Sequence, residues 1–219
     1  FSCESAKGRQ EIYACDFDGR NAKKLTANNG LSVEPDWVPD KRRIIYTYYS
    51  KACTDIIELD LPSSRCRRLT TYEGTTCGGS ISPNGKFMAF IHNTNNLVDL
   101  HIMQVGGRAS KKITNDKAVE ASPSWSPGGD MICYVSDKSG RPALYVIAAG
   151  GGAPKKLATE GVEAVSPDWG ANNKIVYSAK INGSYAIVVM DLAGKERQKV
   201  VADAGGNWES PSCARRTPH

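Results

Sequence analysis

The chain has 219 residues and a net charge of +5, with 40% hydrophobic and 23% charged residues. This composition is typical of a globular protein with a sizeable core, and it excludes a disordered or fibrous chain. No window approaches the 18 or so apolar residues of a membrane span, and the opening FSCESAKG lacks the pattern of a signal peptide. We therefore expect that any export signal has been removed.

A short motif recurs along the chain at a constant interval of 44 residues. Its copies are EPDW (34–37), GGSI (78–81), SPSW (122–125), SPDW (166–169) and SPSC (210–213). The last residue of each copy defines one repeat column, formed by Trp37, Ile81, Trp125, Trp169 and Cys213. A basic segment follows the same period as AKKLT (22–26), CRRLT (66–70), SKKIT (110–114) and PKKLA (154–158), with RQKVV (197–201) in the last copy. Two columns with one period indicate tandem repeats.

In chain order, residues 1–26 are predicted to form the end of the second strand of one repeat, followed by the third and fourth strands of that repeat. Four complete repeats then run from about residue 31 to 205, and residues 206–219 supply one more first strand. The third repeat shows the pattern most clearly, as ASPSW (121–125), MICYVS (131–136), ALYVIAA (143–149) and KKLA (155–158). These short runs are rich in Ile, Val, Tyr and Trp, and Gly, Pro, Asn and Asp separate them, which predicts four antiparallel strands for each repeat.

Repeats of this length built from four strands predict a β-propeller. The two ends of the chain complement each other, so we expect a single all-β domain over residues 1–219. It would be a five-bladed propeller of five 44-residue repeats, with the last blade split between 206–219 and 1–26. Pairing of the N- and C-terminal strands would close the ring and protect the blade faces from water. The residue that ends each first strand is expected to fill the wedge between neighbouring blades.

The segments SPSWSPGG (122–129), YVSDKSG (134–140) and LYVIAAGGGAPKKLA (144–158) resemble the propeller repeat of the TolB family. IYACDFDGRNAKKLT (12–26) is similar to the third strand, turn and fourth strand of that repeat. The resemblance implies a propeller of the periplasmic Tol-Pal envelope system, where the family binds the lipoprotein Pal. The sequence differs from the family pattern in showing five repeats rather than six, and we expect a propeller without the family's N-terminal domain.

The basic pairs and the cysteines are expected to be structural. Lys23-Lys24, Arg67-Arg68, Lys111-Lys112, Lys155-Lys156 and Lys199 would lie on the outer edge strands, where charge prevents association through the strand edge. A circumferential distribution is unsuited to nucleic acid, which requires basic residues on one face. The seven cysteines form no CxxC pair and lack a nearby histidine, so we expect no zinc site and favour free, packed thiols over disulfides.

The first strands should line the central channel, and their acids are the candidate binding residues. These residues are Glu34, Asp36, Glu120, Glu163, Asp168 and Glu209. Oxygen ligands of this kind suit Ca²⁺ in the channel, although solvated acids at its mouth are the alternative, because strand alternation turns about half of them away from the axis. No cofactor and no metal site is otherwise predicted.

The sequence favours a monomeric, non-catalytic scaffold of the periplasm that presents one face or the channel mouth to a protein partner. The resemblance makes a Pal-like lipoprotein or another envelope protein the expected partner. No catalytic constellation is visible, since His92, His101 and His219 occupy unrelated repeat positions. The alternative is an enzyme-associated propeller, either the gating domain of a prolyl-oligopeptidase-like hydrolase or a metal-binding propeller similar to polysaccharide lyases.

Overall fold

The computed structural model describes residues 1–5, 8–16, 18–40, 42–193, 197–201 and 210–213, with the backbone alone for 197–199 and 201. These residues form 19 β-strands and no helix, so the predicted all-β class is confirmed. None of them forms a helix with the length and apolar character needed to cross a membrane. Of the predicted split blade (206–219 and 1–26), residues 6–7, 17, 206–209 and 214–219 lie outside the described residues, and Glu209 is among them.

The strands group into one three-stranded and four four-stranded antiparallel units. The N-terminal sheet contains β1 (Ser2–Glu4), β2 (Gln10–Ala14) and β3 (Lys23–Lys24). Unit 1 contains β4 (Leu31–Trp37), β5 (Arg43–Tyr49), β6 (Thr54–Asp60) and β7 (Arg65–Arg68). Unit 2 contains β8 (Thr75–Ile81), β9 (Phe87–Thr94), β10 (Leu97–Gln104) and β11 (Ser110–Lys112). Unit 3 contains β12 (Glu120–Trp125), β13 (Met131–Ser136), β14 (Ala143–Ala148) and β15 (Lys155–Lys156). Unit 4 contains β16 (Ala164–Trp169), β17 (Lys174–Ile181), β18 (Ser184–Asp191) and β19 (Arg197–Val201).

Unit 3 shows why this sequence forms such units. Cross-strand pairs of β-branched and aromatic residues hold β13 to β14, among them Ile132 opposite Ile147 and Tyr134 opposite Tyr145. The turns between its strands place Gly129 and Gly140 at φ values of +73° and +90°, which favour glycine. All four strands predicted for this repeat are present within two residues of the expected bounds.

Each unit packs a face against the next unit, and the core lies in these interfaces. Apolar clusters join the N-terminal sheet to unit 1, unit 1 to unit 2, unit 2 to unit 3 and unit 3 to unit 4. A single parallel pair, Thr54 with Thr75, also joins units 1 and 2 into one eight-stranded sheet. Side-by-side packing of small antiparallel sheets is the arrangement of a β-propeller.

Three of the five residues of the repeat column are buried, whereas Cys213 is half-buried and Trp37 is exposed. Ile81, Trp125 and Trp169 are between 1% and 3% exposed, and Trp125 Nε1 donates to the Ser80 carbonyl of the preceding unit at 3.0 Å. Trp37 is 49% exposed, so the expectation that it fills a wedge between blades is wrong. Its ring borders the cavity shared with Phe1 and 210–212 and is not enclosed by a neighbouring four-stranded unit.

The cysteines are free thiols, but only some of them are packed. None of the seven forms a disulfide, and Cys133 is fully buried. Cys3, Cys15 and Cys66 are exposed, so the expectation of packed thiols is wrong for these three. Cys3 and Cys66 lie in short strands of the N-terminal sheet and of the outer edge of unit 1, both of which face solvent.

The Trp125→Ala variant should lose about 3–5 kcal/mol of unfolding free energy, because a large buried side chain leaves a cavity. The same change at the half-exposed Trp37 should cost about 1 kcal/mol or less. Urea unfolding of the two variants beside the parent measures both values. A loss of about 1 kcal/mol or less in the Trp125→Ala variant would show that the interface between units 2 and 3 does not depend on Trp125.

Candidate functional site

The first strands of all four units surround a cavity of about 690 Å³. Every copy of the repeated motif contributes to its wall, through residues 34–37, 78–80, 122–124, 166–168 and 210–212. The N-terminal sheet adds Phe1, Ser2 and residues 12–15. The cavity is the only place where residues from both ends of the described chain and from all four units meet.

A left-handed residue opens every copy of the motif. The φ angles are +54° at Glu34, +63° at Gly78, +50° at Ser122, +51° at Ser166 and +55° at Ser210. In the four units the strand register shifts at this point, as in a β-bulge. A non-glycine residue in this conformation costs about 1 kcal/mol or more, so its repetition indicates that the bulge is needed in each unit.

The bulge allows the third residue of the motif to reach the next unit. Asp36 Oδ2 accepts the N–H of Ile81 at 3.2 Å, Ser124 Oγ accepts that of Trp169 at 2.9 Å, and Asp168 Oδ2 accepts that of Cys213 at 2.7 Å. In each case the donor is the last motif residue of the following copy. These hydrogen bonds connect inner strands that do not pair with each other through their backbones.

Three of the six candidate acids line the cavity. Glu34, Asp36 and Asp168 are on its wall, while no Lys, Arg or His side chain of the described residues lines it. Glu34 Oε2 also accepts hydrogen bonds from the Gly78 N–H at 3.0 Å and the Thr47 hydroxyl at 2.8 Å. The cavity is therefore acidic, although the whole chain carries a net charge of +5.

Glu120 does not line the cavity, contrary to the sequence-based expectation. The Glu120 side chain enters the interface between units 2 and 3, where it is 2% exposed. Its Oε2 accepts the N–H of Leu100 at 2.7 Å and the hydroxyl of Thr114, while the buried Oε1 has no hydrogen-bond partner. The pKa of Glu120 is raised to about 7, mainly because burial disfavours the charged carboxylate. The two hydrogen bonds lower this pKa, and the nearby charges of Asp116 and Asp99 raise it.

Glu163 also lies away from the cavity. It borders a second, smaller cavity between units 3 and 4. Its carboxylate accepts the Tyr185 hydroxyl at 2.8 Å and pairs with Lys180 at 3.1 Å, and these two contacts lower its pKa. Glu209 lies outside the described residues.

Sequence reasoning missed a recurrent network behind the basic segments. In three copies a buried acid on the third strand of the repeat forms an ion pair with the second basic residue of the outer strand. The pairs are Glu11 with Lys24 at 3.1 Å, Asp55 with Arg68 at 2.5 Å and Asp99 with Lys112 at 2.6 Å. In these three copies the threonine that ends the basic segment accepts the N–H of the residue after the acid, as Thr26 does from Ile12 at 2.9 Å. The signal was present, since the acids and the threonines both recur at 44-residue spacing in the first three copies. The outer lysines and arginines are thus structural partners as well as edge charges.

The described residues provide little for metal or nucleophilic chemistry. They contain no group of three or more His, Cys, Asp or Glu side chains arranged to hold a metal ion. His101 Nδ1 contacts the Ser110 hydroxyl at 3.2 Å, but the adjacent Asp99 is engaged by Lys112. A catalytic triad requires the carboxylate to orient the histidine, and none of the described carboxylates is hydrogen-bonded to His101.

Side-by-side four-stranded units around an axial cavity define a β-propeller domain. The chain belongs to the family described as the TolB beta propeller domain, which it matches over residues 2–217. The predicted family resemblance is confirmed.

Individual relatives match shorter stretches or only the fold. The Tol-Pal system protein TolB of Desulfosudis oleivorans is 41% identical over 49 residues, which cover 22% of this chain and 11% of that protein. The crystal structure of TolB from Acinetobacter baumannii has a TM-score of 0.80 at 24% identity, and the match covers 87% of this chain and 48% of that one. A Mycobacterium tuberculosis puromycin-hydrolyzing peptidase has a TM-score of 0.67 at 14% identity, covering 98% and 40% of the two chains. This chain therefore spans about half or less of the length of each of these three proteins.

The raised pKa of Glu120 makes the stability of the fold depend on pH. The folded state binds a proton more tightly than the unfolded state, so unfolding free energy should fall as pH rises from about 4.5 to about 7, by about 1–3 kcal/mol, and then level off. The Glu120→Gln variant cannot ionise, and its unfolding free energy should not contain this decline. Urea unfolding between about pH 5 and about pH 8 measures the difference between variant and parent.

The Glu163→Gln variant is the matched control, because the pKa of Glu163 is lowered rather than raised. The contribution of Glu163 to the unfolding free energy is present above its unfolded pKa and is lost as pH falls. That variant should retain the decline due to Glu120. A Glu120→Gln protein with the same pH dependence as the parent would contradict the assignment.

Proposed function

We propose that the chain is a non-catalytic binding domain of the periplasm whose central cavity receives a segment of an envelope protein. A Pal-like lipoprotein is the expected partner, given membership of the TolB beta propeller domain family. The acidic cavity that all motif copies share is the observation that carries the proposal. Ordered loops on a rigid scaffold are a common basis for protein recognition.

The charge of the cavity indicates which part of a partner would bind there. Glu34, Asp36 and Asp168 border a common space, so their negative charge would attract a lysine or arginine of the partner. Part of each carboxylate is already engaged by backbone N–H groups, which fixes its position. The Trp37 ring supplies an apolar surface on the same wall, where it can contact the stem of such a side chain.

The role of the cavity acids in joining the units argues against the enzyme-associated alternative. Acids that hold the inner strands together are poorly placed to exchange protons with a substrate. The likeness to the puromycin-hydrolyzing peptidase lies at 14% identity and concerns the fold. We therefore favour binding over gating or catalysis.

We further propose that the domain is a five-bladed ring closed by its ends, with residues 206–219 and 1–26 forming the last blade. Two contacts support this. Ser210–Cys213 keep the motif geometry and bind Asp168 of unit 4, while Phe1 and Ser2 border the same cavity. Among the described strands no backbone pairing joins β1 to 210–213, so the closing contact itself stays a prediction.

Calorimetric titration with a purified soluble Pal domain tests the binding proposal. The Glu34→Gln variant keeps an acceptor for Gly78 and Thr47 but removes one charge, and we expect it to weaken binding about threefold to tenfold. Glu73→Gln is the control, since Glu73 is an exposed acid outside the cavity wall. Absence of binding by the parent, or equal weakening by both variants, would contradict the proposal.

A circular permutant tests ring closure. A short glycine-serine linker joins residue 219 to residue 1, and the chain is opened between the exposed Gly152 and Ala153. If the ends meet in one blade, the permutant should melt at or above the temperature of the parent carrying the same linker at its C-terminus, because linking adjacent ends reduces the entropy of the unfolded chain. A soluble permutant with a much lower melting temperature, or an aggregating one, would contradict closure.

A further inference from the structure

Unit 3 has lost the buried acid that the N-terminal sheet, unit 1 and unit 2 keep behind the basic segment, and unit 4 has Ile187 at the same repeat position. The repeat places Ala143 where the N-terminal sheet, unit 1 and unit 2 have Glu11, Asp55 and Asp99. It also places Ala158 where those units have a buried threonine. The basic member is retained as Lys156, in the same register on the outer strand.

A cavity of about 460 Å³ lies at the position of the missing acid. Ala143, Lys156 and Ala158 border it, together with the 139–142 turn of unit 3 and, on the segment leading into unit 4, Thr159 and residues 161–164. In the N-terminal sheet, unit 1 and unit 2 the carboxylate and the threonine occupy the equivalent space, and the threonines are between 1% and 5% exposed. Two alanines in their place leave room that a ligand can enter.

The basic side chains of this cavity form no ion pair with a described carboxylate. Lys156 Nζ donates to the Ser139 hydroxyl at 2.7 Å and forms no ion pair with the described residues. The equivalent Lys24, Arg68 and Lys112 all pair with a buried acid. Arg141 is a second basic group on the wall, and it too forms no described ion pair.

The one acid on the wall does not cancel this charge. Glu163 is held by Lys180 and by the Tyr185 hydroxyl, which leaves Lys156 and Arg141 as the excess charges. The Arg141 charge also contributes to the lowered pKa of Glu163. The cavity is therefore positive, whereas the central cavity is acidic.

We propose that the cavity between units 3 and 4 binds a carboxylate group of a ligand, which takes the place that Glu11, Asp55 and Asp99 occupy in the N-terminal sheet, unit 1 and unit 2. Lys156 supplies the ion pair, and the Ser139 hydroxyl, which accepts from Lys156, keeps its own hydrogen to donate to the carboxylate. The volume exceeds that of a carboxylate alone, so an acidic side chain fits together with part of its backbone. The site is separate from the central cavity and does not depend on the function proposed for that cavity.

Nuclear magnetic resonance titration of the ¹⁵N-labelled chain with propionate tests the proposal, and propionamide serves as the neutral ligand of equal shape. We expect saturable shifts at the amides of residues 139–141 and 161–163 with propionate and none with propionamide. The peptides acetyl-Ala-Glu-Ala-amide and acetyl-Ala-Gln-Ala-amide form a second pair. Tighter binding of the glutamate peptide than of propionate assigns the site to an acidic protein segment, and the reverse assigns it to a small free acid.

Two variants locate the site. Lys156→Met keeps the length of the side chain but removes the charge, and it should weaken propionate binding by about tenfold. Lys155→Met is the matched control on the same strand, since Lys155 is exposed and does not border the cavity, and binding should stay within about twofold of the parent. The double variant Ala143→Asp with Ala158→Thr restores the internal acid and should abolish binding.

Several results would overturn the proposal. These are equal shifts with propionamide, no saturable shift with propionate, and unchanged affinity in the Lys156→Met variant. Tighter binding of inorganic phosphate than of propionate would overturn the assignment to carboxylates.

Discussion

The rest of the structure depends on one hydrogen bond, from the backbone N–H that ends one motif copy to the side chain at the third position of the preceding copy. It recurs from Ile81 to Asp36, from Trp169 to Ser124 and from Cys213 to Asp168. The inner strands of adjacent units have no continuous backbone ladder between them, so apolar packing alone would leave their relative position poorly determined. A directional bond to a fixed acceptor sets that position. The left-handed bulge residue places the acceptor in position. In four of the five copies this residue is not glycine and is therefore strained.

The same bond fixes the position of the cavity acids. Asp36 and Asp168 each hold a backbone N–H of the following copy, and Glu34 holds the N–H of Gly78. Carboxylates in such positions are fixed, and their remaining oxygen surface can present negative charge to a partner. The acidity of the cavity is then a by-product of assembling the units, which recognition can use.

The sequence predicts the fold well because the period is exact. The 44-residue spacing and the strand-like runs place the four strands of unit 3 within two residues of their observed bounds. Trp37 departs from its column, because its surroundings depend on the ends of the chain and not on its own repeat.

The candidate site is harder to predict, since the direction of a side chain depends on the local bulge. Strand position suggests Glu120 for the channel, yet its side chain turns into the interface between units 2 and 3. The acid, base and threonine network has a sequence signal, but its meaning emerges only when Glu11, Asp55 and Asp99 are found buried beside their basic partners. That comparison also shows that unit 3 keeps the basic residue, Lys156, without the acid. Repeats thus inform function most where one copy differs from the others.

Native-state hydrogen exchange of the Ile81, Trp169 and Cys213 amides tests the central account most directly. These amides should exchange slowly in the parent, and Asp168→Ala should accelerate exchange at Cys213 while leaving Ile81 protected, because each acceptor serves one junction. If Cys213 in the parent exchanges as fast as an exposed turn amide, or if Asp168→Ala leaves its rate unchanged, these hydrogen bonds do not hold the units together.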